Sequence, residues 1–351
     1  MSQSLLIYGA TGHTGRLLAR EAVRRGLRPV LAGRDAAKVS ALASSLGCEA
    51  RVTALTDAAG LANALRDVGV VLHAAGPFSR TAAPMAAACL AAGVHYLDLT
   101  GEIAVFAALS VLDREARRRG IMVMPGVGFD VVPSDCLAAH VARRLPGATR
   151  LALGLRGFGA ATRGSTQTLI EHAGRDVRIR RDGALVPIAP GTLERRFDYG
   201  VGPRASVNVG WGDVFSSWYT TGIPNVETYV EATPAIRLLL GANRWLAPVW
   251  RSPSWQTVAQ SWASLLPDGA MPLGGTSEGM TIVAEAEDDA GHRVRARLRT
   301  PEAYAFSGAV GVAIAERVLA GDVEPGYQTP GRVYGPDFVL RFAGVVREDL
   351  P

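Results

Sequence analysis

Lysine is almost missing from this chain. Of its 351 residues only Lys38 is lysine, so nearly all of the 37 cationic side chains are arginine. A Schiff-base lysine elsewhere in the chain is therefore excluded. So is a tyrosine general acid served by a lysine four residues on, because position 34 is arginine. Cysteine is scarce too: Cys48, Cys89 and Cys136 show no C-x-x-C spacing, which predicts neither a disulfide framework nor a zinc site. The six histidines are scattered without metal-ligand spacing, so no metal is expected. Nowhere do roughly 18 apolar residues follow one another, as a membrane-spanning helix requires. The first apolar run begins too early for a secretory signal to precede it, which predicts a cytoplasmic location. The net charge is +5, but the arginines recur in short groups such as "REAVRRG", "REARRRG" and "RIRRDG" at the ends of expected helices. That pattern argues against a nucleic-acid partner.

A chain of this length predicts about two domains. Up to about residue 135 short β-rich runs ("LLIY", "PVLA", "EARVTAL", "VVLHAA", "HYLDL", "IMVMP") alternate with helix-period stretches at 15–25, 36–46, 58–66, 81–92 and 103–119. This alternation predicts an α/β, doubly wound parallel sheet of the Rossmann kind over residues 1–135. Ser134, after Pro133, is expected to cap the next helix. Residues 136–325 then carry "RLALGLRGF", "ALVPI", "TIVAEAED" and "RVRARLRT" between Gly- and Pro-rich turns, which predicts a second, mixed α/β domain with a mostly antiparallel sheet. The helix-period stretch "AYAFSGAVGVAIAERVLAG" is expected to close it, and residues 326–351 to return toward the first domain.

"LLIYGATGHTGRLLAREAVRRG" places Gly9, Gly12 and Gly15 at the turn from the first strand into the first helix. Bare backbone there permits a tight turn, close approach to a pyrophosphate and close packing of helix on strand. Thr11, His13 and Thr14 share the loop, and the helix N-terminus offers unpaired N–H groups to an anion. After the second strand, "LAGRDAAK" gives Gly33 and Arg34 where an NAD site usually has an acid, with Lys38 one turn later. A planar cation there pairs with a 2′-phosphate, so NADP(H) is the expected cofactor; the alternative is that Asp35 takes the ribose. Asp57 is expected to border the adenine, and Ala75, Gly76 and Pro77 of "AAGPF" to pass the nicotinamide ribose.

These motifs, with "HYLDLTGE" at 95–102, "PGVGFDVVPSD" at 125–135, "TPEAYAFSG" and "GYQTPGRVYGPDFVL", resemble the saccharopine dehydrogenase-like family of NADP-binding oxidoreductases, which includes the trans-acting enoyl reductases of lipid biosynthesis. The resemblance implies a Rossmann domain followed by a substrate domain, commonly in a homodimer. Residues 150–270 match poorly, so no substrate is implied.

Candidate catalytic groups should follow the later strands. Tyr96, Asp98 and Glu102 lie in "HYLDLTGE" and Asp130 in "GVGFD"; a buried carboxylate with raised pKa can donate a proton, though such groups also cap helices. In "RGSTQTLIEH", Thr166, Ile170 and His172 are expected near the start of a short helix, His172 with a pKa suited to proton transfer. Trp211, Trp218, Trp245, Trp250, Trp255 and Trp262 fall in one third of the second domain and read as dimer core, an apolar lid, or a peripheral lipid or acyl-carrier contact. The function expected is an NADP(H)-dependent reductase acting on an activated double bond in a small, apolar, carrier-bound or free substrate. The alternatives are an amine or imine oxidoreductase, with Arg156, Arg163 and Arg175 as carboxylate clamps, and a non-catalytic NADPH-binding scaffold.

Overall fold

The computed structural model describes residues 4–157, 160–266, 271–272 and 279–351. The chain forms two compact units, one of Met1–Val132 with Ala303–Tyr334 and one of Pro133–Glu302 with Gly335–Pro351.

The first unit is built on β1 (Ser4–Tyr8), α1 (His13–Arg24), β2 (Val30–Gly33), α2 (Ala36–Leu46), β3 (Glu49–Val52), α3 (Ala58–Ala64), β4 (Val68–His73), α4 (Phe78–Ala92), β5 (His95–Asp98), α5 (Ile103–Ser110), α6 (Asp113–Arg118) and β6 (Met122–Met124). The strands are parallel in the order β6, β5, β4, β1, β2, β3, with Gly326–Tyr327 added beside β6. Strands covered on both faces should be apolar throughout rather than alternating. Accordingly Leu5, Leu6 and Ile7 of β1 and Val70, Val71 and Leu72 of β4 are all buried. The expected helix 103–119 is broken at Val111–Leu112. The break carries the Asp113 carboxylate to the backbone N–H of Tyr327, 2.8 Å away, so it anchors the added strand.

The next helix, α7 (Val132–Arg144), begins earlier than the sequence suggested. Ser134 lies inside its first turn and not at the cap, because Pro133 is readily accommodated there: the N–H it lacks would have no intrahelical acceptor anyway.

The second unit is a nine-stranded mixed sheet, ordered Ala184–Ile188, Val177–Arg181, Asn225–Glu231, Arg150–Arg156, Met280–Glu287, Arg293–Thr300, Val346–Leu350, with the hairpin Glu194–Asp198 and Pro203–Asn208 beside Asn225–Glu231. Its central pair, Arg150–Arg156 and Asn225–Glu231, is parallel, and the other pairings are antiparallel.

The helix Ala303–Leu319, expected to close the second domain, belongs to the first unit and packs on α1 and β4. A side chain at Gly311 would stand 3.2 Å from Leu18, so the missing one lets this helix settle against the sheet's own covering helix. The expected boundary at 325–326 also moves. Residues up to Tyr334 stay with the first unit, and Val346–Leu350 is an edge strand of the second sheet, paired with Arg293–Thr300.

His73, the last residue of β4, is buried among Tyr8, Phe78 and Tyr96, and neither ring nitrogen has a hydrogen-bond partner. Burial lowers its pKa from 6.5 to about 3. The unfolded chain therefore takes up this proton first. The stability held by the neutral ring is complete above pH 6.5 and drains away as pH falls toward 3. Asp98 and Asp130, whose carboxyls are raised by burial to about 6, act in the opposite sense, becoming less costly to bury as pH falls through 6. Comparing His73→Leu with wild type isolates the histidine. The variant should gain on the wild type by about 1.4 kcal/mol per pH unit between roughly pH 6 and 4. Urea unfolding at pH 7 and pH 5 checks this, and the same difference at both would contradict it.

Candidate NADP site in the first unit

Gly9 has a φ of +81°, and a side chain there would lie 2.7 Å from the backbone nitrogen of Ala75. At Gly15 it would lie 2.2 Å from the carbonyl oxygen of Gly9. Both positions thus require glycine, the first for conformation and contact and the second for the packing of α1 on its own entry turn. Gly12 is the N-cap of α1 and supplies no side-chain hydrogen bond to the helix. The start of α1 therefore has no side-chain cap, and its helix dipole favours an anion there. Arg16 donates to the carbonyl of Thr11 at 2.5 Å, which fixes the loop carrying Thr11 and, through the first turn, His13 and Thr14.

At the end of β2, Gly33 is buried and Arg34 exposed. Asp35, the alternative ribose ligand, is the N-cap of α2: its carboxylate accepts from the backbone N–H of Lys38 at 3.1 Å and lies 3.4 Å from the Lys38 ammonium. The hydrogen bond from that N–H is the first cause of its lowered pKa. Arg34 is therefore left as the cation beside the second strand. Asp57 likewise caps a helix, accepting from Gly60 N–H at 2.9 Å at the start of α3.

The loop after β4 is held at both ends. Ala74 N–H donates to the Tyr8 carbonyl at 2.8 Å, and the Thr81 hydroxyl donates to the carbonyls of Ala75 at 2.6 Å and Pro77 at 3.1 Å. Gly76 and Pro77, joined by a cis peptide, lie between these ties. Phe78 N–H donates to Glu102 at 3.0 Å, so Glu102 also supports this loop.

The carboxylates after β5 divide by surroundings. Asp98 is fully buried and accepts three hydrogen bonds, from the Tyr96 hydroxyl (2.7 Å), Thr100 N–H (2.9 Å) and Gly126 N–H (3.0 Å). Burial lifts its carboxyl to about 6 even so. Tyr96 is buried as well, its phenol held well above the usual range by burial and by Asp98. Tyr96, expected as a candidate catalytic acid, donates its hydroxyl to Asp98, and together they join the loops after β5 and β6. Asp130 is only half-buried, in a gap left by the missing side chain of Gly101, and burial raises it to about 6.

His172 lies in the second unit. It is the last residue of the helix Arg163–His172, not near its start, because Thr162 caps that helix ten residues earlier. The ring is exposed, with Nδ1 2.9 Å from the carbonyl of Thr168. The first unit thus brings the glycine loop, Arg34, Asp57, the 75–77 loop and Asp130 to the carboxyl edge of one sheet, and His172 is not among them. His73 escaped the sequence reading because it ends an apolar run; its position as the last residue of a strand is the signal that marks it.

A cradle that only glycine fits, an uncapped helix start and an exposed arginine after β2 together suit a dinucleotide carrying a 2′-phosphate. Residues 5–124 match the family model of the saccharopine dehydrogenase NADP binding domain. This stretch is similar to the NADP-binding domain of that family. Its cofactor is NADP(H). A trans-acting enoyl reductase of Mycobacterium ulcerans is 33% identical over 148 residues, 40% of this chain and 35% of that protein. A relative of the same kind of name from Mycobacterium tuberculosis is 37% identical over 157 residues, 42% of this chain and 38% of that protein. The matched stretch spans less than two fifths of either relative's length. In structure, a saccharopine dehydrogenase (L-Glu forming) from Saccharomyces cerevisiae matches 99% of this chain and 100% of its own with a TM-score of 0.64 at 14% identity, which establishes the shared fold.

For this domain, replacing Arg34 by alanine should weaken NADPH binding by about tenfold or more, as loss of a charge-assisted pair implies. NADH binding should be nearly unaffected. Calorimetric titration with both cofactors checks it, and equal wild-type affinities would refute the role of Arg34.

Proposed function

We propose that the protein is an NADP(H)-dependent oxidoreductase that reduces an activated carbon–carbon double bond in an apolar substrate. Bound NADPH supplies the hydride. The observation that carries this reading is the set of acids at the carboxyl edge of the first sheet: Tyr96, Asp98 and Glu102 hold loops, and Asp130 is a half-buried carboxyl that burial raises to about 6. Such an edge can bind, orient and exclude water, and Asp130 can hold a proton near neutrality. Conjugate reduction needs little more, since positioning lowers much of the barrier and the carbonyl requires only hydrogen-bond donors. The names of the mycobacterial relatives support the same class. The amine or imine alternative draws less support, because Arg156, one of its proposed clamps, is paired with Glu231 at 2.9 Å. The substrate is proposed to be carrier-bound or free, and the protein to work in the cytoplasm.

We also propose that the second unit joins two copies. Trp245 is 83% exposed and Trp262 59%, and Val258, Trp262 and Leu265 form an exposed apolar stripe at helical spacing. Sedimentation equilibrium at micromolar concentration should give a dimer that Trp262→Glu with Leu265→Glu converts to monomer; a wild-type monomer would sink this reading.

Purified protein with NADPH and an enoyl thioester should show loss of dihydronicotinamide absorbance, where a cyclic imine should not. Binding of NADPH without turnover on any unsaturated acceptor would favour the scaffold reading. Asp130→Asn and His172→Ala should each slow turnover by less than about a hundredfold. A loss beyond about a thousandfold with NADPH affinity intact would identify a true general acid and bring the carbonyl or imine reading forward.

A further inference from the structure

The helix Ala303–Leu319 lies outside the matched stretch 5–124, yet it reaches the glycine loop. Its Tyr304 meets the His13 ring edge to face, with centroids 5.3 Å apart and planes at 88°. His13 is the first residue of α1, directly after Gly12. One turn further along, the Ser307 hydroxyl accepts from Phe129 N–H at 2.9 Å and donates to the Ala303 carbonyl at 2.8 Å. Gly308, beside Ser307, and Gly311, one turn beyond, let the helix lie close to Leu17, Leu18 and Leu72. Arg25 at the far end of α1 reaches Glu316 at 2.9 Å. The late helix is thus fastened along the length of α1, and its first aromatic ring is fixed against the residue that opens the phosphate turn.

We infer that Tyr304 is a positioning residue for the cofactor: its ring braces His13, so that the first N–H groups of α1 stay aimed at the dinucleotide phosphates. The inference rests on the NADP(H) assignment and extends the site to a residue nearly 300 positions downstream of the glycine loop. The chemistry braced is common to NADPH and NADH and has no bearing on the 2′-phosphate. That separates Tyr304 from Arg34.

The test is calorimetric titration of wild type, Tyr304→Leu, Tyr304→Phe and Arg34→Ala with NADPH, NADH and adenosine 2′-monophosphate, with thermal melts of each protein alone. Tyr304→Leu should weaken NADPH and NADH by the same factor, about three- to tenfold for loss of one aromatic pair, and leave adenosine 2′-monophosphate within about twofold. Tyr304→Phe keeps the ring and should bind all three like wild type. Arg34→Ala should show the opposite pattern, losing NADPH and adenosine 2′-monophosphate but not NADH. Unchanged NADPH affinity in a folded Tyr304→Leu overturns the brace. So does an equal loss of adenosine 2′-monophosphate, which would mean general damage, and so does a loss in Tyr304→Phe as large as in Tyr304→Leu. Failure of the wild type itself to bind NADPH would instead overturn the cofactor assignment beneath it.

Discussion

The first helix stands where it does because Gly15 has no side chain. A methyl group there would press to within 2.2 Å of the Gly9 carbonyl, and relief would require α1 to move off the strand that feeds it. The rest of the first unit is assembled on that contact. Leu18, Ala19 and Ala22 of α1 are buried, and Leu18 is what Gly311 of the late helix approaches. The uncapped start of α1 then faces the same edge as the loops after β4, β5 and β6. Phosphate binding and core packing are therefore not separate properties of this unit. One close approach sets both.

The loops at that edge are stiffened by buried acceptors. Asp98 collects a phenol and two backbone N–H groups, and Glu102 takes the N–H that opens α4. A carboxylate held in a dry interior is costly unless its hydrogen bonds are made, and the bonds to Asp98 do not prevent its pKa from rising. The molecule accepts that cost in return for fixed loops. A neutral histidine with no partner, His73, sits beneath them in an aromatic shell, so the edge rests on groups whose charge state is set by burial.

Much of this was readable in the residues. Runs such as "VVLHAA" are apolar without alternation because both faces of their sheet are covered, and the glycines at 9, 12 and 15 follow the first of those runs. "AGR" placed the arginine at the end of β2, and the structure adds that Asp35 beside it is engaged as a cap. What could not be read is which partner an apolar face meets. The period of "AYAFSGAVGVAIAERVL" says that the helix is buried but not against what, and its glycines acquire meaning only beside Leu17 and Leu18. Side-chain direction was equally hidden at Tyr96, whose residue type suggested an acid while its place on β5 turned it inward. For His172 the error was one of phase: a helix capped at Thr162 ends at His172, so what looked like an opening turn is a closing one.

The distribution of acids and bases bears on how catalysis can be divided in such a molecule. Among the described residues of the first unit, Tyr96 is buried with a raised pKa, and Asp35 and Asp57 cap helices. The unit's investments are in geometry: two obligatory glycines, a loop pinned at Ala74, Ala75 and Pro77, and a helix returned from far along the chain to stand beside the phosphate turn. Positioning of this kind can supply several kcal/mol of a barrier on its own. A reaction whose reacting centre is already electron-poor gains most from that and least from a strong acid. The physical economy of the site and the proposed conjugate reduction are in that sense the same statement, since a substrate that carries its own activation asks the protein chiefly to hold still.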